Sequence, residues 1–210
     1  MDVNVYVLKQ TGRLNAIEED IKRCIEIVLS RANALISIPP LDIVVMDDPF
    51  STVPEIGIRG YAKNANTIVI SINPVSDYFL RFLDQEVKSV IAHEIHHAAR
   101  MLTIGYGNTL LEALVSEGLA DHFDLEINQL SPKPWNIALN QEELMMFNLL
   151  AQKEYNNASY NHSEWFFGSK EKNIPRWTGY TLGFSLVGRY LENTGLLPSQ
   201  LVDTKARVFI

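Results

Sequence analysis

The sequence predicts an α+β chain, with its strands gathered in about the first third and helices predominating after them. Residues 3–7, 41–46, 56–62 and 67–72 are short runs rich in Val, Ile and Tyr, separated by Pro, Asp, Asn and Gly. That is the composition of strands packed on one face. Residues 14–35, 79–97, 114–121, 140–151 and 178–193 instead repeat apolar side chains at spacings of three and four, the period of an amphipathic helix.

In chain order, Val3, Val5 and Val7 alternate and read as a first strand. Leu14, Ile17, Ile21, Cys24, Ile25, Val28, Ala32 and Leu35 then share a helical face, with Glu18, Glu19, Lys22 and Arg23 opposite; this helix is assigned packing and no chemistry. Pro39-Pro40 stops the chain before a strand at residues 41–46, which Asp47-Asp48-Pro49 ends. Residues 56–62 and 67–72 flank the turn-forming Lys63-Asn64-Ala65-Asn66 and are expected to pair as a hairpin. Phe79, Leu80, Leu83, Val87, Val90 and Ile91 predict one helix, started by Ser76 or Asp77 and running on through residues 91–97.

Gly105-Tyr106-Gly107-Asn108 reads as a turn, with Asn108 capping the helix that carries residues 114–121. Pro132 and Pro134 interrupt the chain, and Asn140 with Glu143 marks a capping box for a helix through Leu144, Phe147, Leu150 and Ala151. Residues 156–175 are polar and aromatic without a period and are expected to form a long loop. A final helix at residues 178–193 ends before Gly195, and its Gly179, Gly183 and Gly188 imply close approach by another element.

The 210 residues, 47% hydrophobic and 20% charged, are enough to bury a core without covalent staples. A net charge of −7, a pI near 5.2 and the lack of any basic run exclude a phosphate-binding surface, so no nucleic-acid partner is expected. No apolar stretch approaches the roughly 18 residues of a membrane helix, and residues 1–6 lack the charged leader and apolar core of a signal peptide. Cys24 is the single cysteine, so it forms no internal disulfide and is expected as a packed core thiol. A cytoplasmic location with no membrane partner is the expectation; nothing in the sequence bears on oligomeric state.

The chemistry concentrates in Ile91-Ala92-His93-Glu94-Ile95-His96-His97. His93 and His97 are four apart, so on a helix both rings project from one face and can grip a single ion. Glu94 lies about 100° further round, where its carboxylate can reach a water on the ion without ligating it. A catalytic zinc needs three protein ligands and an open fourth position. Glu117, twenty residues after His97 on the next helix, would complete a His2Glu set. Asp121, one turn beyond Glu117, can accept the free ring N–H of a ligating histidine and hold its tautomer.

His93, Glu94, His97, Glu117 and Asp121 together resemble the gluzincin (thermolysin-like) metallopeptidases, in which HExxH is followed some twenty residues later by a ligating Glu within E-x-x-x-D. The chain is most similar to a bacterial group of small predicted zinc-dependent proteases with E-G-L-A-D after HExxH. The likeness is firm over residues 87–124 and looser over Trp177-Thr178-Gly179-Tyr180-Thr181-Leu182-Gly183. It implies a zincin-like fold: a small twisted sheet packed on the HExxH helix, plus a mainly helical C-terminal lobe. Residues 1–210 are then one domain, with a sheet-containing lobe of about residues 1–104 and a helical lobe of about 105–210 sharing a cleft. An edge strand of the sheet borders that cleft and offers main-chain groups to an extended peptide.

The resemblance further implies one Zn2+ per chain, held by His93, His97 and Glu117, with Glu94 as general base and Asp121 orienting His93. Family members commonly stabilise the developing oxyanion with a Tyr or His; Tyr180, within the C-terminal segment, is the first candidate and His162 the second. Arg176 is a candidate for a substrate carboxylate or carbonyl. His96 is the alternative to His97 as ligand, and His122 is assigned a surface or outer-shell place. The Gly-x-Met-Glu-Asn segment with which aminopeptidase relatives bind a free amine does not occur, which favours endopeptidase action on a peptide or protein substrate. Two competing readings remain at this stage: a catalytically silent zinc-binding regulatory or interaction protein, and a zinc hydrolase of a non-peptide amide or ester.

Overall fold

The computed structural model describes residues 2–210. It is α+β, with one mixed four-stranded sheet and seven α-helices among the described residues. The chain divides into two compact units, Met1–Thr103 and Ile104–Ile210. No helix is long and apolar enough to cross a membrane.

The first unit holds the sheet. β1 (Val3–Val7) lies parallel to β2 (Leu41–Asp47), and α1 (Glu18–Asn33) makes the crossover between them, which parallel neighbours require. β3 (Ile58–Asn64) and β4 (Thr67–Ile72) form the expected antiparallel hairpin around Ala65-Asn66, with a bulge between Ala62 and Asn64. β4 runs parallel to β2, so the strand order is β1-β2-β4-β3 and β3 is an edge. Ile43 and Val45 of β2, Ile68, Ile70 and Ile72 of β4, and Ile58 and Ala62 of β3 are buried, as is the Ile21, Cys24, Ile25, Val28 face of α1. Against this core run α2 (Asp77–Arg81) and α3 (Leu83–Met101).

The single helix expected from Phe79 onward is two. Ser76 Oγ caps α2 by accepting from Phe79 N–H at 3.2 Å, but Phe82 leaves helical geometry at φ −115° and ψ 22° and separates α2 from α3. Phe79 and Leu83 are buried on both sides of the break, so the apolar spacing continues through it, and no Gly or Pro marks it. Arg23 of α1 then ties α3 down, with Nη1 and Nη2 on the two carboxylate oxygens of Asp84 at 3.2 and 3.0 Å.

The second unit is helical. α4 (Leu110–Asn128) starts at Thr109, not Asn108: Glu112 N–H donates to Thr109 Oγ1 at 3.4 Å while Glu112 Oε2 accepts from Thr109 N–H at 2.9 Å. Thr109-x-x-Glu112 is itself the sequence signature of that reciprocal cap, and it supersedes Asn108, whose own N–H donates to the same carboxylate at 2.9 Å. α5 (Gln141–Glu154) begins with the expected Asn140/Glu143 box. Residues 156–175 are not all loop. α6 (His162–Phe167) forms there, capped by Asn161 and anchored by the buried Trp165 and Phe166; six residues are too few to display a helical period.

α7 (Thr178–Thr194) ends at Gly195, at φ 69°, as expected. It crosses α4 backbone against backbone. A Cβ at Gly183 would meet the Leu114 carbonyl, and one at Gly118 would meet the backbone of Gly183. Gly118 immediately follows Glu117, so this crossing sets where that carboxylate starts from. Gly183→Ala should therefore destabilise the protein by roughly 1–3 kcal/mol through overpacking. A thermal melt should show this as a midpoint lower by several degrees, at about 2–4 °C per kcal/mol for a chain of this size; an unchanged midpoint would disprove the tight crossing.

Candidate metal centre

α3 presents His93 and His97 as the one-turn spacing requires. Their Nε2 atoms are 2.9 Å apart and their rings meet edge to face, with centroids 4.6 Å apart and planes at 79°. Two imidazole nitrogens converging this closely have a common target only if their lone pairs point to one ion or a proton lies between them. His97 is buried and His93 half-buried. His96, between them in sequence, is fully buried; burial first, then the neighbouring His97, Arg100 and His93, holds its imidazole well below the usual histidine range.

Glu94 sits on the sheet side of the same helix. It is 7% exposed, and its Oε2 accepts the Ala62 backbone N–H of edge strand β3 at 2.7 Å. That bond fixes one oxygen of the carboxylate and leaves Oε1 for other work. Gly60, two residues earlier, makes room for it, because any Cβ there would collide with Glu94 Cγ and Oε1. Neither Gly60 nor Ala62 stands out in the sequence. An isolated Gly within a strand run is the one available signal, since it often marks close approach of another group.

Glu117 and Asp121 lie one turn apart on α4, both buried. Tyr106, from the turn before α4, donates its hydroxyl to Glu117 Oε1 at 2.7 Å. Burial, reinforced by the Glu117 charge, keeps that phenol well above the usual tyrosine range and so protonated. Asp121 accepts from Asn136 Nδ2 at 2.5 Å and from Trp135 Nε1 at 3.4 Å. A carboxylate has capacity for more than two such bonds.

The other candidates lie in the second unit. His162 stacks on Phe166, with centroids 4.3 Å apart, and its Nδ1 lies 3.0 Å from the Tyr160 hydroxyl. Burial lowers its pKa, partly offset by Glu117. Tyr160 is pushed up to about 12 by burial first and then by Glu117 and Glu112. Tyr180 is half-buried and packs edge to face on Phe166 at 5.0 Å. Arg176 stacks over its neighbour Trp177, 4.2 Å from the ring centroid. His122 is half-buried rather than on the surface: it stacks on Phe184 at 4.0 Å, with Nε2 2.9 Å from the Phe184 carbonyl.

Among the described residues, His93, His97 and Glu117 each offer a ligand atom, and these atoms all lie within 4.8 Å of one another. Two imidazoles and a carboxylate are a donor set suited to zinc. The three residues fit the metal that the spacing predicts. No curated protein and no solved structure matches the chain. One family model does, over residues 14–210, and it is described as "Predicted Zn-dependent protease (DUF2268)". A match spanning His93, Glu94, His97, Glu117 and Asp121 and nearly all of the chain means that this protein belongs to that family of predicted zinc-dependent proteases.

Proposed function

We propose that the protein is a zinc-dependent peptidase, acting as an endopeptidase. The observation that carries this reading is the His93, His97, Glu117 cluster with a buried carboxylate, Glu94, on the same helix as both histidines. His93, His97 and Glu117 would hold one Zn2+ per chain. The ion, when bound, polarises a carbonyl and lowers the pKa of water toward about 7.

The remaining work falls to the chain's own groups. Glu94 takes the proton of the attacking water through Oε1 and delivers it to the leaving amine. The Ala62 N–H holds the other oxygen, so the base is oriented before substrate arrives. Asp121 accepts a ring N–H, on the family pattern that of His93, and its position is supported by Asn136 and Trp135. Tyr180 is the proposed donor to the carbonyl oxygen as negative charge develops there, with His162 as alternative, and Arg176 is offered to a substrate carboxylate or carbonyl. The side of β3 not paired with β4, apart from the Ala62 N–H that Glu94 takes, is the proposed rail for an extended peptide.

The test measures zinc per chain and casein digestion on the same preparation, with an ester panel in parallel. Near-stoichiometric zinc and casein cleavage abolished by a chelator and restored by Zn2+ are expected. Zinc without cleavage of either substrate would favour a regulatory zinc protein, ester hydrolysis alone would favour a non-peptide hydrolase, and no zinc would remove the basis of the proposal.

A further inference from the structure

We infer that Tyr106 is a positioning residue for Glu117, holding the carboxylate in the one orientation from which it can join His93 and His97 around a divalent cation. The inference rests on the zinc reading above and adds a residue to it.

A glutamate side chain turns about three bonds, so burial alone does not aim it. Tyr106 Oη donates to Glu117 Oε1 at 2.7 Å, a length usual for the charge-assisted bond of a hydroxyl to a carboxylate. With Oε1 held by this bond, the carboxylate has a fixed place before any cation arrives. Partners of this kind typically change metal affinity by about 10–100-fold.

The chain before α4 is built to deliver this phenol. Gly105 and Gly107 flank Tyr106 at φ 81° and 98°, the left-handed region where glycine is unstrained. A Cβ on Gly107 would lie on the side chain of Glu112. Glu112 in turn clamps the turn to the helix, its Oε2 accepting from Asn108 N–H, Thr109 N–H and Thr109 Oγ1, each at 2.9 Å. The cap of α4 and the placement of Tyr106 are therefore one device, anchored eight residues before the carboxylate it serves. The nearby Tyr160 does not duplicate it, since its hydroxyl bonds His162 Nδ1 at 3.0 Å.

The experiment is chelator competition for Zn2+ on wild type, Tyr106→Phe, Glu117→Ala and the double variant, with a thermal melt of each metal-free protein. Tyr106→Phe is expected to weaken zinc by about 10–100-fold while the metal-free melting point stays near that of wild type. The loss should vanish in the Glu117→Ala background, where the acceptor is gone, because the tyrosine acts through that carboxylate. In cobalt-substituted protein the visible absorption bands should shift in Tyr106→Phe, a change that a packing role would not produce. Wild-type zinc affinity in Tyr106→Phe would overturn the inference, as would an equal loss in the Glu117→Ala background. If wild type itself binds no zinc, the peptidase reading has failed instead.

Discussion

Glu94→Gln protein should bind zinc as wild type does and lose peptide hydrolysis by about 10²–10⁴-fold, the usual worth of a positioned general base. The size of the loss follows from the environment of the carboxylate. Ala62 N–H donates to Oε2 at 2.7 Å, so a glutamine there keeps its amide oxygen on Ala62 and turns its NH2 into the place of Oε1. A donor then stands where the water's proton must be accepted. Packing is unaffected, because the two side chains have nearly the same shape. Zinc content by mass spectrometry and kcat on a casein-derived peptide read the two halves of the prediction. Hydrolysis retained in the pure variant would exclude Glu94 as the base.

His97→Ala and Glu117→Ala should each reduce zinc from near one per chain to near zero under conditions that saturate wild type, and abolish chelator-sensitive cleavage with it. Each removes one donor from a set whose ligand atoms lie within 4.8 Å of one another, leaving two protein ligands where a catalytic zinc uses three. The cost should exceed the roughly 10–100-fold loss typical of removing an outer partner such as a hydrogen bond to a ligand. Dialysis against buffered zinc followed by elemental analysis checks it. Full zinc in His97→Ala would move the site to another histidine, and His96 is the neighbour to test next. Full zinc in Glu117→Ala would break the connection between the two helices' motifs.

The strands and most helices were legible because they depend on local patterns. Val3, Val5 and Val7 alternate and form β1; Asn140 and Glu143 carry a capping box and start α5. Expectation and structure part where local pattern is ambiguous or overruled. Apolar spacing ran unbroken from Phe79 to Ile91, yet Phe82 breaks the helix between two buried positions. Asn108 is the expected cap of α4, but Glu112 answers Thr109 reciprocally and the helix starts there. In residues 156–175, Trp165 and Phe166 are held by burial, and α6 is too short for periodicity to announce it.

The sequence by itself determined the chemistry on offer: one helix carries His93, Glu94 and His97, and another carries Glu117 and Asp121. Those inferences rest on 3.6 residues per turn and on ligand chemistry, which act over a few positions and survive any packing. Tertiary structure alone decided that β3 is an edge, that Ala62 supplies the N–H holding Glu94 from 32 residues away, and that Gly60 clears the space for it. It also brought the Tyr106 hydroxyl onto Glu117, a pairing that no spacing in the sequence announces. These are bonds between groups brought together by strand order and burial, and no short-range spacing encodes them.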